Sequence, residues 1–206
     1  MTPKAVIFDI GNVLIEWQPE RFYDAVMGED RRREMFAAVD LHTLNDQVDL
    51  GAHYRDVFHA AAEETPAFRA EIRLWHDRWI EMLTPEISHS VRLMKALQAR
   101  GVPVFSLTNF GKQTYDHAAL TYPFLRDFDR DFISGYMGVI KPDPAIYAAV
   151  EEACGLPPEA LIFTDDRADN IAAASARGWR THHFEGPAGW AARLVSEGLL
   201  TDEEAA

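Results

Sequence analysis

The chain reads as α/β, a Rossmann-like doubly wound parallel sheet with an inserted α-helical cap. Three observations predict this. Five short apolar runs alternate with helical patterns along most of the chain. One long interval near the start holds helical patterns only, and the first, second and fourth apolar runs lead into carboxylate, hydroxyl or amide side chains. Strand–helix alternation argues for a parallel sheet covered by helices on both faces. Reactive side chains at strand ends are where open α/β sheets build their sites.

The first run, Ala5–Asp9, is Ala-Val-Ile-Phe closed by a carboxylate, and it breaks at once on Gly11-Asn12, a turn pair. The other runs are Val102–Leu107, Asp131–Ser134, Leu161–Asp165 and Thr181–Phe184. Val, Ile and Phe dominate most of them, and turns or glycines bound them. The helix Val91–Arg100 carries Val91, Met94, Ala96 and Leu97 and stops at Gly101, a C-terminal cap. Pro144–Cys154 starts from Asp143 as N-cap with proline at the first helical position. Ala168–Arg177 stops at Gly178.

Between Pro19 and Ile87 no strand is expected. Glu20–Met27, Asp30–Ala38, Ala52–Glu64 and Ala67–Met82 read as helices, punctuated by Gly28, Gly51 and Thr65-Pro66. Phe68 and Ile72, then Trp75 and Trp79, are four apart and make one apolar face. The pattern divides the chain into a core domain of residues 1–16 and 88–206 and a helical cap of residues 17–87 over the C-terminal edge of the sheet. The acidic tail 201–206 is expected to fray.

With 48% hydrophobic and 26% charged residues in 206, the chain can bury a sizeable core. Its formal net charge of −13 repels nucleic acid and anionic membrane, so neither is expected as a partner. An anionic substrate would need a local cation to overcome that field. The single cysteine, Cys154, excludes an intrachain disulfide or a Cys-based zinc site and reads as a packing residue. Met1-Thr2-Pro3-Lys4 lacks a signal-peptide layout and no apolar stretch is long enough to span a bilayer, so a cytoplasmic protein is expected.

Four pieces carry the chemistry. They are Phe8-Asp9-Ile10-Gly11-Asn12-Val13, the strand end Ser106-Leu107-Thr108-Asn109, Lys141-Pro142-Asp143-Pro144, and Thr164-Asp165-Asp166-Arg167-Ala168-Asp169-Asn170. In a doubly wound sheet the first, second and fourth end at one edge. Asp9, Asp165 and Asp166 in one crevice cannot all stay ionised without cations. Lys141 supplies one charge, and Mg²⁺ favours a site of few carboxylates plus a substrate phosphate. Thr108 and Asn109, with nearby backbone N–H groups, suit phosphate oxygens.

The four pieces resemble the motifs of the haloacid dehalogenase-like (HAD) hydrolase superfamily, and the likeness covers nearly the whole chain. The insert resembles the cap of its subfamily I. Asp-Ile-Gly-Asn-Val with the downstream pieces is similar to the branch holding glucose-1-phosphate phosphatase-like enzymes and the phosphatase domain of soluble epoxide hydrolases. The resemblance implies a Mg²⁺-dependent phosphatase acting on a small phosphorylated metabolite, such as a sugar phosphate, through an aspartyl-phosphate. It implies Asp9 as nucleophile, Thr108 with Asn109 and Asn12 as phosphate binders, and Lys141 steadying nucleophile and phosphoryl group. It also implies Asp9, the Gly11 carbonyl, Asp166 and Asp165 as the metal site, with Asn170 in hydrogen-bonded support. Ser106, inside its strand, is expected to point elsewhere.

Gly11 departs from the pattern, because most phosphatases of this superfamily carry there an Asp that serves as general acid and base. Its absence points to a leaving group that departs with little protonation, such as an anomeric hydroxyl, or to a proton shuttle by water and substrate. Two other functions stay open: a 2-haloacid dehalogenase, which also lacks that Asp but typically lacks the acidic pair, and a non-catalytic phosphometabolite-binding relative. Cap residues Trp17, Asn45, Asp46 and Asp49 are specificity candidates among which the sequence does not choose. His182-His183 point to opposite strand faces, and the remaining histidines show no metal-ligand spacing. Arg31-Arg32-Arg33 reads as a solvated helix end, and Trp75, Trp79 and Phe68 as cap core.

Overall fold

The computed structural model describes residues 2–206. In chain order, β1 (Ala5–Phe8) and β2 (Ile15–Trp17) lead into α1 (Pro19–Met27), α2 (Glu29–Ala38), α3 (Leu41–Asp49), α4 (Tyr54–Glu64) and α5 (Arg69–Asp77). Then come β3 (Leu83–Glu86), α6 (Ser88–Ala99), β4 (Val104–Thr108), α7 (Lys112–Thr121), β5 (Arg130–Ile133) and the short α8 (Ser134–Met137). The chain ends with α9 (Pro144–Cys154), β6 (Leu161–Asp165), α10 (Ala168–Ala176), β7 (Arg180–His183) and α11 (Pro187–Ser196).

The main sheet has the order β5-β4-β1-β6-β7, with every neighbouring pair parallel. All four residues of β1 are fully buried, because the strand is central and covered on both faces. Val6 and Phe8 pack into one core cluster, and Ala5 and Ile7 into the other, as alternation along a strand requires. Trp190 of α11 meets the Phe8 ring edge-on at 5.7 Å on the first face. On the second face Trp179 and Tyr147 pack around Phe163. The chain runs outward from β1 to β4 and β5, then returns to the other side through β6 and β7. The direction of winding therefore reverses at β1, the topological position where such folds open a crevice.

The interval expected to hold no strand ends in one. β3 pairs antiparallel with β2, forming a two-stranded ribbon that joins the two chain crossings of the insert. Gln18 N–H donates to Met82 O and Ile87 N–H to Leu14 O, extending the join. Segments of three and four residues are too short to show a period of two. The expected helix Ala67–Met82 is broken into 3₁₀ turns at Pro66–Phe68 and Trp79–Glu81 around α5. Helix α3 was not expected. It presents Leu41, Leu44 and Val48 inward, and its N-cap Asp40 accepts from Thr43 N–H at 3.0 Å.

The insert is built around aromatics, with Trp75 fully buried and stacked on Phe58 at 5.4 Å. Trp79 continues this cluster onto Phe110, just beyond β4, at 5.5 Å. The tail does not fray. Ala205 is buried and its carbonyl accepts from His89 Nε2, while Glu204 pairs with Arg100 at 2.8 Å. Both contacts tie the tail to α6 and the residue that follows it, far off in sequence. Among the described residues no helix is long and apolar enough to cross a membrane.

Candidate functional site

The C-terminal ends of β1, β4 and β6 open into a cavity of about 450 Å³ roofed by the insert. Asp9, Gly11, Asn12, Thr108, Asn109, Lys141 and Asp166 all line it, so one crevice gathers nearly every site residue expected from the four pieces. Asp165 is the exception: it is fully buried behind the wall.

Lys141 organises the floor. Its ammonium is 3.0 Å from Asp9 Oδ1 and 2.6 Å from Asp165 Oδ2, and it donates to Leu107 O at 2.9 Å. An ammonium has three donors, and here each has an acceptor. Burial pulls the Lys141 pKa down, but Asp165 and Asp9 outweigh it and hold the group above its ordinary value, so it stays charged. The backbone of residue 141 is fixed as well. Asn109 Oδ1 accepts from Lys141 N–H at 2.7 Å, and Asn109 Nδ2 donates to Lys141 O at 2.9 Å. The Asn109 side chain was expected on a phosphate. The structure engages its carboxamide with the loop at residue 141, whose N–H and C=O it matches, and leaves the second Nδ2 hydrogen uncommitted at the cavity wall.

Asp9 Oδ1 accepts from Ile10 N–H at 2.7 Å as well as from Lys141, which leaves Oδ2 without a donor among the described residues. Burial, with Asp165 and Asp166 nearby, pushes Asp9 up to about 7 against the opposing pull of Lys141. Asp166 is raised too, chiefly by burial, and its Oδ2 accepts from Asn12 Nδ2 at 2.9 Å. Asn12 was expected to bind phosphate. Its Nδ2 donates to Asp166, its Oδ1 accepts from Trp17 N–H at 2.9 Å, and its backbone turns at φ 55°. That turn aims the side chain across the site toward β6, where it positions the Asp166 carboxylate and keeps a second Nδ2 hydrogen uncommitted.

Asp165 has no spare oxygen. Oδ1 takes Arg167 N–H at 2.8 Å, Oδ2 takes Lys141, and Asn170 Nδ2 reaches both at 3.0 Å. Asn170 thus supports by hydrogen bonding, as expected, while Asp169 turns outward to pair with Arg167. Thr108 is 2% exposed and lines the cavity, and its hydroxyl has no hydrogen-bond partner among the described residues. Ser106 does point elsewhere, donating to Asp131 at 2.8 Å.

Carboxylate oxygens of Asp9, Asp165 and Asp166 lie within 4.8 Å of one another. Three acids share a single ammonium there, and burial first, with the neighbouring acids adding to it, raises Asp9 and Asp166. A hard divalent cation with oxygen ligands fits that imbalance. Gly11 has room for a side chain, since an added Cβ would meet only Trp17 Cβ, at 3.9 Å.

From the insert, Trp17, Asn45, Asp46 and Asp49 all reach the cavity. Sequence reasoning missed Arg167, whose guanidinium pairs with Asp169 and tempers the rise of the Asp46 pKa. Its adjacency to Asp165-Asp166 was the available signal. His182 packs against Trp190 and His183 Nε2 meets Asp166 O, so the two have separate partners. Spacing hid one other cluster: α4 and α5 bring His59, His76 and Asp77 together near the surface. Arg31, Arg32 and Arg33 pair with Glu71, Asp24 and Glu29 as a solvated face.

A family model described as haloacid dehalogenase-like hydrolase matches residues 3–178. The sesquiterpene phosphatase astK of Aspergillus oryzae is 26% identical over 178 residues, covering 86% of this chain and 87% of that protein. A HAD family enzyme from Bacteroides thetaiotaomicron, solved as an alanine variant with magnesium and inorganic phosphate, superposes with TM-score 0.71 at 22% identity. That superposition covers 89% of this chain and 95% of the other. An L-2-haloacid dehalogenase from Xanthobacter autotrophicus superposes with TM-score 0.63 at 20% identity, covering 97% and 85%. At these identities the solved structures establish a shared fold.

Proposed function

The chain belongs to the haloacid dehalogenase-like hydrolases, and from that membership we propose that it is a Mg²⁺-dependent phosphatase cleaving a small phosphorylated metabolite through an aspartyl-phosphate. One observation carries the proposal. Asp9 is clamped through Oδ1 by Ile10 N–H and Lys141, and its Oδ2 is left free at the floor of a cavity. A carboxylate held by one oxygen and bare at the other is prepared for in-line attack.

In this reading Asp9 Oδ2 bonds to phosphorus as the ester P–O bond breaks, and water then displaces Asp9 to release inorganic phosphate. Lys141 pulls Asp9 toward its ionised form against burial and faces the phosphoryl charge. Thr108 donates its unpartnered hydroxyl to a phosphoryl oxygen. Asp165 and Asn170 hold Lys141, and Asn12 holds Asp166. Asp9, Asp166 and the Gly11 carbonyl would bind Mg²⁺, with Asp165 beside them. Mg²⁺ supplies charge neutralisation for the transferring phosphoryl group. Residues 17–87 act as a cap that admits substrate and excludes bulk water. The protein is cytoplasmic and engages neither nucleic acid nor membrane.

The phosphatase among the relatives and the magnesium–phosphate complex of the Bacteroides protein support this choice over a dehalogenase. So does the acidic pair Asp165-Asp166, which a metal-free haloacid displacement does not need. The test is a screen of sugar phosphates, prenyl and alkyl phosphates and nucleotides with and without Mg²⁺, using Asp9→Asn as control. Mg²⁺-dependent phosphate release that disappears in Asp9→Asn supports the proposal. Halide release from a 2-haloacid in EDTA, with no phosphate release, overturns it.

A further inference from the structure

Gly11 leaves Asp9 without the neighbouring proton-transfer group that its position invites, and the insert brings one to the same cavity. We propose that Asp49, at the C-terminal end of α3, is the general acid and base of the reaction. It would protonate the departing oxygen and then deprotonate the attacking water. This rests on the phosphatase reading above.

Asp49 lines the cavity with Asp9, Thr108, Lys141 and Asp166, and only 7% of it is exposed. Among the described residues no cation pairs with it. Its Oδ2 accepts from Asn45 Nδ2 at 2.9 Å, and Gly111 N–H faces the carboxyl, but both donors are neutral. Asp46 from its own helix, Asp9 from the end of β1 and the Tyr54 hydroxyl of α4 face it with like or no charge. Burial first, then Asp46, raise its pKa to about 8. A carboxyl that still holds its proton near neutrality, in a cleft, is what proton donation to an alkoxide needs. The alternatives in the insert are worse placed. Asp46 is exposed, and His42 is exposed and spent on Glu20 at 3.1 Å.

The position of Asp49 is fixed from three sides. Ser134 Oγ donates to its backbone carbonyl at 2.7 Å. Asn45, which holds its carboxyl, is itself held by Trp75 Nε1 at 3.2 Å. The loop after β4 presses so closely on α3 that a Cβ on Gly111 would fall 2.4 Å from Val48 Cγ1. A Cβ on Gly51 would fall 2.8 Å from Gly135 O. These glycines let the end of α3 seat directly against the loops that carry the site, and Lys112 flanks Gly51 at the same junction.

The proton balance closes over the two half-reactions. As Asp9 Oδ2 bonds to phosphorus and the ester P–O bond breaks, the Asp49 proton passes to the departing oxygen and the alcohol leaves. The Asp49 carboxylate then takes a proton from water as the water oxygen bonds to phosphorus and the P–O bond to Asp9 breaks. Phosphate departs with both side chains in their starting states.

The test compares p-nitrophenyl phosphate, whose leaving group needs no proton, with n-hexyl phosphate, whose leaving group does. Both are assayed with Mg²⁺ in wild type, Asp9→Asn, Asp49→Asn and the double variant Asp49→Asn/Gly11→Asp. Asp49→Asn should lose about 10²–10⁴-fold in kcat/KM on hexyl phosphate and stay within about tenfold on p-nitrophenyl phosphate. It should show a burst of p-nitrophenol, because dephosphorylation lacks its base. The wild-type fall in hexyl phosphate kcat/KM near pH 8 should vanish in the variant, and Gly11→Asp should restore part of the lost rate. Equal losses on both substrates, or no loss on hexyl phosphate, overturn the assignment. If wild type cleaves neither ester, the phosphatase reading falls and this assignment with it. If wild type is active, Asp9→Asn is dead and Asp49→Asn matches wild type, the Asp49 assignment alone falls.

Discussion

Asp49→Asn should make the protein more stable at alkaline pH while making it a worse catalyst. Asp49 is buried without a cation, and its pKa rises from 3.8 to about 8, mainly through burial. The folded state therefore holds a proton that the unfolded chain releases across this range, and stability falls as pH rises from about 4 to 8. Each unit is worth ~1.4 kcal/mol, so the fully ionised carboxylate costs on the order of 6 kcal/mol at most. Asparagine has nearly the same shape, can still accept from Asn45 and never ionises. Urea denaturation of both proteins at a series of pH values from 5 to 9 reads the difference, and groups common to both cancel. The variant should gain on wild type by up to ~1.4 kcal/mol per pH unit, levelling off above about 8. A stability difference that does not change with pH would refute the claim that Asp49 is buried as a neutral acid.

Three further outcomes follow from the same geometry. Gly111→Ala forces a methyl to 2.4 Å from Val48 Cγ1, so thermal denaturation should show a loss of ~1–3 kcal/mol, with activity falling as α3 is pushed from its seat. Lys141→Met strands Asp9 and Asp165 in a buried place, and should cost ~3–5 kcal/mol by chemical denaturation and abolish turnover. Asn12→Gly keeps the positive φ accessible but frees Asp166. Titration of activity against Mg²⁺ should show a requirement raised by ~10–100-fold with the sheet intact.

The sheet was legible because each of its strands is a short run between turns or glycines, and the central ones are buried on both faces and therefore uniformly apolar. Strand ends shifted by a residue or two, as at Val102 against Val104, because pairing with β1 and not composition decides where β4 begins. The β2–β3 ribbon was invisible, since its few residues gain their identity from each other across the whole insert. Among site residues, Asp9, Lys141, Thr108 and Asp166 were readable because the four pieces that hold them occur together, in order, and mostly at strand ends. The engagement of Asn109 and Asn12 with protein was not, because an amide reads the same whether its partner is a backbone loop or a ligand. Asp49 could be noticed but not chosen over Asn45 and Asp46. What separates them is burial at the junction of α3 with Ser134 and Gly111, which exists only after folding.

The central claim is that Asp9 takes the phosphoryl group. It is tested most directly by mixing the Asp49→Asn variant with p-nitrophenyl phosphate and Mg²⁺, quenching rapidly in acid, and locating the added mass by peptide mapping. One phosphoryl group on Asp9, absent when Asp9→Asn is added to the same chain, is the result predicted. Phosphate release with no covalent adduct on Asp9, or an adduct on another side chain, would contradict it.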